Sequence, residues 1–314
     1  MPDHGDAQNE PQRRLGFIGL GNLGRHLAAS LLRTGYPLTV YDRDESTARD
    51  LLQAGAAWAG SPQEVAEASE SVLTCLPSPQ VIAEVLTGRE GILAGLAPGG
   101  TWIDSSTNDR HQLARLAALA AEQGVQTLEA PVTGGVHLAA SGEVTVLVGG
   151  DPDVFAAHLS VFEAVGGRVF HIGPLGSASV IKVITNMLAF IHLVAAGEAL
   201  MLARRAGLDL AQSFEVIKAS SGTSFVHETE SQVILNGSYD IGFTLDLACK
   251  DLGFALDLGD ELGVPLELAS LVERTFIRAR NEYGGAAWSP MVVKLLEDAL
   301  GTDLRAAGFP EQIR

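Results

Sequence analysis

Lys182 and Asn186 stand four residues apart in SASVIKVITNMLAFIHLVAAGEALMLARRAG, a segment that begins at Ser177. Helical spacing puts positions i and i+4 on one face, so the amine and the amide address the same point. Such a pair suits hydroxyl chemistry. The amine accepts the hydroxyl proton as a carbinol becomes a carbonyl and returns it in reverse, and the amide holds the substrate. The surrounding residues are apolar, and desolvation favours the neutral amine that can act as a base. A lone helical lysine more often lays its stem on the surface with its charge in water, so the reading of Lys182 needs support from the rest of the chain.

That support begins in LGFIGLGNLGRHLAASLL, where Gly19, Gly21 and Gly24 form a GxGxxG run between an apolar strand pattern and a helical one. In that setting the spacing is a dinucleotide fingerprint. Gly19 permits a tight turn, Gly21 lets the backbone approach a pyrophosphate, and Gly24 allows close helix packing. Leu20, Asn22 and Leu23 complete the loop, with N–H donors near Asn22 and Leu23 at the positive end of the helix dipole. Asp42 closes the run PLTVYD, where a carboxylate can accept from the hydroxyls of an adenosine ribose. This favours NAD. Arg43 follows at once, and its guanidinium could hold a 2′-phosphate, which leaves NADP as the alternative. A third segment, VTGG, carries Thr133, Gly134 and Gly135 after a strand-like run. Its backbone N–H groups can approach an anion unobstructed by a Cβ, which suits a substrate carboxylate, and Thr133 adds a hydroxyl.

The elements that must position these residues fall into two regimes. LGFIG, PLTVYD, SVLTCL, TWID, VQTLEA, EVTVLVGG and RVFHI alternate with helical patterns and predict βαβ units around a largely parallel sheet. Beyond Gly176 only long helical patterns follow. The expected fold is therefore α/β: an N-terminal Rossmann-type doubly wound sheet over residues 14–175, then an all-α domain over 176–314 for substrate binding and oligomerisation. Residues 1–13 are polar and read as a disordered tail rather than a targeting segment.

Composition removes several function classes. The chain carries 38 acidic against 21 basic residues, a formal charge of -17, which opposes nucleic acid and anionic lipid. Cys75 and Cys249 are too few for a disulfide framework and show no metal-ligand spacing, which suggests a reducing, cytoplasmic setting without a metal. The most apolar run, 183–197, is shorter than the roughly 18 residues of a membrane span and predicts a buried helix. Being apolar around most of its circumference, that helix suggests a homodimer or homotetramer.

DSSTNDR at 104–110, EAPVTGGVHLAASGEVTVLVGG at 129–150, GPLGSASVIKVITN at 173–186 and KDLGFA at 250–255 extend the pattern. With the fingerprint, they make the chain resemble the β-hydroxyacid dehydrogenases from about Leu15 to Leu300. The resemblance implies that Leu76, Pro77, Val81 and Thr107 line the nicotinamide side of the cofactor site and that Lys250 lies near cofactor and substrate. It also implies substrate binding by Thr133, Gly134, Gly135 and Asn186, and catalysis by Lys182. Thr133 stands where the family commonly has serine, and Phe225 where a bulky aromatic often faces the substrate. His227 reads as a surface residue. The activity implied is NAD(P)-dependent interconversion of a small 3-hydroxy acid and its semialdehyde. Its rivals are reduction of tartronate semialdehyde or a related aldehyde acid and, in another class, a non-catalytic NAD(P)-binding sensor.

Overall fold

The computed structural model describes residues 12–313. These fall into two compact units, one reaching to Val132 and resuming over Gly142–Ala178, the other formed by Thr133–Ser141 and Ser179 onward.

The strands are β1 (Leu15–Ile18), β2 (Leu38–Tyr41), β3 (Ala57–Trp58), β4 (Ser71–Thr74), β5 (Thr101–Asp104), β6 (Gln126–Glu129), β7 (Val132–Thr133), β8 (Thr145–Gly150) and β9 (Arg168–Gly173), all in the first unit except Thr133 of β7. All seven strands expected from sequence are present; β3 and β7 are two residues long and too short to show a period. The order is β3-β2-β1-β4-β5-β6-β8-β7, with β9 also beside β8. Pairing is parallel from β3 to β6, antiparallel between β6 and β8, and parallel again between β8 and β9. β1, β4 and β5 are buried at every residue, as expected for central strands of a parallel sheet covered on both faces, and their polar ends Ser71, Thr74, Thr101 and Asp104 are buried with them. The strand order reverses between β1 and β4, and the carboxyl ends of strands at such a reversal form the usual ligand crevice of open α/β sheets.

Ser61, Ser78 and Asp109 cap the helices Pro62–Glu67, Pro79–Thr87 and Arg110–Glu122 by accepting a backbone N–H of the first turn. The helix Gly24–Arg33 has no side-chain cap and no acidic residue in its first turn. At the far end of the unit, Glu129 Oε1 accepts from Gly176 N at 2.6 Å and Ala178 N at 2.8 Å. This buried carboxylate thus caps the helix Ser177–Arg205, which carries Lys182. Gly149 faces Glu129 across the β6–β8 ladder, and a Cβ there would sit 2.2 Å from Oε1. Glycine clears the space for the cap.

The second unit contains the helices Leu210–Lys218, Phe225–Asn236, Leu245–Leu262, Glu267–Tyr283 and Lys294–Leu300 around the remainder of Ser177–Arg205. Phe190, Leu193, Leu200, Phe214, Ile234, Leu252 and Phe276 are among its buried core.

Four expectations change. The helix Ser177–Arg205 has 29 residues and an 18-residue window of mean hydropathy 1.8, so length and composition alone would let it cross a membrane, contrary to the reading of a run too short to do so. Its small polar residues interrupt the apolar run without ending the helix. Only 33% of that window is buried, and Ile184, Leu188 and Leu202 are exposed. The domain division differs from 175/176: it falls after Ala178, and residues 133–141 join the helical unit because Val136 lies against Gly242 and His137 against Phe225. Of the tail expected over 1–13, residues 1–11 lie outside the described residues. Arg13, however, donates to Ser71 Oγ and Ala157 O and lies 3.0 Å from His158 Nε2. His227 is buried rather than exposed, because Phe214 O and Ser231 Oγ satisfy its two ring nitrogens.

Glu230, on the helix Phe225–Asn236, keeps Oε2 buried without a hydrogen-bond partner among the described residues, and burial pushes its carboxyl up to about 8 from 4.5. Between those values the native state holds a proton that the unfolded chain releases, so this group's stabilising contribution is complete below about 4.5 and is lost as pH rises through about 8. Thermal unfolding should show Tm falling less steeply from pH 5 to pH 8.5 in Glu230→Gln than in the parent; parallel curves would remove Glu230 as the cause.

Candidate active site

The fingerprint glycines occupy three different environments. Gly19 has φ +98°, and a Cβ there would lie 2.3 Å from Cys75 O and 3.0 Å from Leu76 Cδ2. A Cβ at Gly24 would lie 1.9 Å from Gly19 O, so the helix can start there only without a side chain. A Cβ at Gly21 would meet nothing within 4 Å. Open space at Gly21, beside an uncapped helix N-terminus, is where the backbone can receive a pyrophosphate, and the residues present fit a dinucleotide.

Asp42 directly follows β2. Its Oδ2 accepts from Leu20 N at 2.7 Å and its Oδ1 from Asp44 N at 3.1 Å. The carboxylate therefore shapes the fingerprint loop itself, and two of its four lone-pair sites remain for a ribose. Arg43 is exposed beside it. Leu76 packs at Gly19, and its N–H donates to Ser106 Oγ at 2.9 Å. Thr107 follows Ser106, while exposed Pro77 and half-buried Val81 flank the Ser78 cap.

The DSSTN motif is organised by Asp104, a role that the sequence did not disclose. Its Oδ1 accepts from Thr74 Oγ1 and Ser106 N, and its Oδ2 from Asn108 Nδ2. Full burial raises its carboxyl above the ordinary value, opposed by hydrogen bonds from Ser106, Thr74 and Asn108.

The second unit holds the remaining candidates. Lys182 Nζ donates to Asn186 Oδ1 at 2.8 Å, and Asn186 Nδ2 donates to Asp251 Oδ2 at 2.6 Å. Asp251, 1% exposed, also pairs through Oδ1 with Lys250 Nζ at 3.0 Å. An ionised carboxylate only accepts, so Asp251 obliges the Asn186 amide to present its NH2 there and its oxygen to the amine of Lys182. Lys250, grouped with the cofactor residues in the sequence reading, makes its ion pair with Asp251 and lies 5.2 Å over the Phe254 ring. Asp251 was not anticipated; the only signal was its place in KDLGFA.

Gly134 and Gly135 have φ +122° and +83°, two consecutive left-handed positions that only glycine adopts readily. Thr133 precedes them and is half-buried. His137, also not anticipated, lies where a Cβ on Gly135 would come 3.3 Å from its Cε1 and Nδ1. Its ring stacks on Phe225 at 6.0 Å and 17°. Among the described residues no group of three His, Cys, Asp or Glu side chains could hold a metal ion.

A fingerprint at a strand-order reversal, with a lysine–amide–carboxylate chain on helices, defines a dinucleotide-dependent oxidoreductase. The family model for the NAD binding domain of 6-phosphogluconate dehydrogenase matches residues 14–173, and that for the NAD-binding region of NADP-dependent 3-hydroxyisobutyrate dehydrogenase matches 176–296. Mouse mitochondrial 3-hydroxyisobutyrate dehydrogenase is 37% identical over 83% of this chain and 80% of its own length. The 2-(hydroxymethyl)glutarate dehydrogenase of Eubacterium barkeri is 31% identical over 94% of this chain and 98% of its own. The crystal structure of 3-hydroxyisobutyrate dehydrogenase from Salmonella typhimurium superposes with a TM-score of 0.85 at 31% identity, covering 90% of this chain and 100% of that one. The chain belongs to the β-hydroxyacid dehydrogenase family, NAD(P)-dependent enzymes that act on CH–OH donors.

Asp42→Asn leaves an acceptor for Leu20 N–H and removes the charge that would repel a 2′-phosphate. The ratio of kcat/KM for NADP over NAD should rise about tenfold, the scale of one partly screened charge contact. An unchanged ratio would place Asp42 away from the ribose.

Proposed function

We propose that the chain interconverts a small 3-hydroxy acid and its semialdehyde, with Lys182 as general acid and base. The observation that carries this reading is the chain from Lys182 through Asn186 to Asp251. It holds the amine at a defined place on the same helical face as the amide, where both can meet a substrate oxygen. The relatives named above are called after substrates with a HOCH2–CH(R)–COO⁻ framework, R being a methyl group in 3-hydroxyisobutyrate and a carboxyethyl group in 2-(hydroxymethyl)glutarate. A hydroxymethyl carbon next to a carboxylate-bearing carbon fits the chemistry available in this chain.

In the oxidation direction the carboxylate lies against the N–H groups of residues 133–135, with the Thr133 hydroxyl as a further donor. Asn186 and Lys182 engage the hydroxyl. As the C–H bond delivers its hydride, the O–H proton passes to the Lys182 amine and a C=O bond forms; the reverse reaction returns the proton from the ammonium. The nicotinamide, when bound, accepts or donates that hydride. Lys250 supplies positive charge next to Asp251, so that the buried carboxylate is not left uncompensated.

Lys182→Met keeps much of the stem and removes the titratable group. Folding and cofactor binding should survive, while kcat and kcat/KM should both fall by about 10²- to 10⁴-fold, and the ascending limb of the oxidation pH profile should disappear. Near-parent kcat with that limb intact would remove Lys182 from the mechanism.

A further inference from the structure

We propose that His137 is a specificity residue that selects 3-hydroxy acids whose C2 substituent is a neutral hydrogen-bonding group, a hydroxyl above all, over those bearing a methyl group. The inference rests on the reading of residues 133–135 as the cradle of the substrate carboxylate. It uses a side chain that has no part in the proton transfer.

The geometry is local to one loop. His137 lies on the helix Gly135–Ser141, two residues past the paired glycines, and its ring turns back over them. The nearest atoms to a Cβ at Gly135 would be its Cε1 and Nδ1, both at 3.3 Å. A carboxylate on the backbone of Gly134 and Gly135 therefore brings the carbon next to it, and whatever that carbon carries, alongside the imidazole edge. The opposite constraint comes from Phe225, which stacks on the ring at 6.0 Å and holds its plane. Phe225 is itself 54% exposed, so the stack forms a wall beside the loop rather than part of the packed core.

The chemistry of that wall is polar at one point. His137 Nδ1 is buried and has no hydrogen-bond partner among the described residues. A polar nitrogen in this state costs free energy until something bonds to it. Burial also lowers the imidazole below its ordinary value, so the ring is neutral at pH 7. A neutral imidazole nitrogen offers one donor or one acceptor according to tautomer. A hydroxyl satisfies either, whereas a methyl group satisfies neither and leaves the nitrogen unpaired. A second carboxylate would gain no ion pair from an uncharged ring.

Hydroxyl and methyl are close in size, so a pair of substrates separates hydrogen bonding from volume. Glycerate and 3-hydroxyisobutyrate differ only in carrying OH or CH3 at C2. Steady-state rates with both, together with 3-hydroxypropionate, should show kcat/KM for glycerate at least about tenfold above that for 3-hydroxyisobutyrate, the worth of one hydrogen bond. His137→Phe keeps the ring and its stack on Phe225 and removes the nitrogen. It should lower kcat/KM for glycerate about tenfold and leave that for 3-hydroxyisobutyrate within about twofold. His137→Asn, which places a hydrogen-bonding atom near the position of Nδ1, should restore part of the glycerate rate. A glycerate to 3-hydroxyisobutyrate ratio that is the same in parent and His137→Phe, or a parent that prefers the methyl compound, overturns the inference and leaves the dehydrogenase reading intact. No turnover of any of the three acids by the parent overturns that reading, and the inference with it.

Discussion

The carboxylate of Asp251 is the constraint on which the proposed catalytic face depends. It is buried, it can only accept hydrogen bonds, and it lies between the amide of Asn186 and the ammonium of Lys250. A buried charge without partners would be costly, so these contacts are obligatory rather than optional. Once they form, the amide of Asn186 has one permitted orientation, and its oxygen meets Lys182. The helices Ser177–Arg205 and Leu245–Leu262 are tied at this point by part-buried polar contacts. A second buried carboxylate, Glu129, holds the beginning of the same long helix. Two acids thus define where the amine proposed to move the proton stands.

Glycine serves the two candidate binding loops for different physical reasons. In the fingerprint, Gly19 and Gly24 are required because backbone passes too close for a Cβ, whereas at Gly21 the surroundings are open. The first two make the turn and the third makes the room. In the 133–135 loop the requirement is conformational, since consecutive positive φ values turn the backbone and expose its N–H groups. Both loops are suited to anions without depending on cationic side chains. That matters in a chain of formal charge -17, whose long-range field disfavours a dinucleotide and a carboxylate alike. Attraction has to arise within the screening length of about 8 Å, from oriented N–H groups and from Lys182 and Lys250.

Much of the α/β unit was legible because its signals are local. β1, β4 and β5 lie in short β-rich segments that alternate with helical patterns, and GxGxxG lies within six consecutive positions between a strand and a helix. Lys182 and Asn186 were equally accessible, since a separation of four residues on a helix decides that they share a face. β3 and β7 escaped because two residues carry no period. His227 was misread because its burial depends on Phe214 O, thirteen residues away in sequence and supplied by another helix.

What the sequence alone determined is therefore the order of the elements, the presence of a dinucleotide loop and the identity of the amine and amide on one helical face. Only the tertiary structure decided which groups surround them. It brought Asp251 to Asn186 across 65 positions, set Glu129 against the start of the Lys182 helix across 49, and folded His137 onto both Gly135 and Phe225. It also assigned residues 133–141 to the helical unit although they begin in β7 and precede β8 of the sheet. The physical reason is the same in each case. Spacing along a helix or strand is fixed by backbone geometry and can be read from one segment, whereas the partner of a buried polar group is chosen by whichever distant segment packs against it.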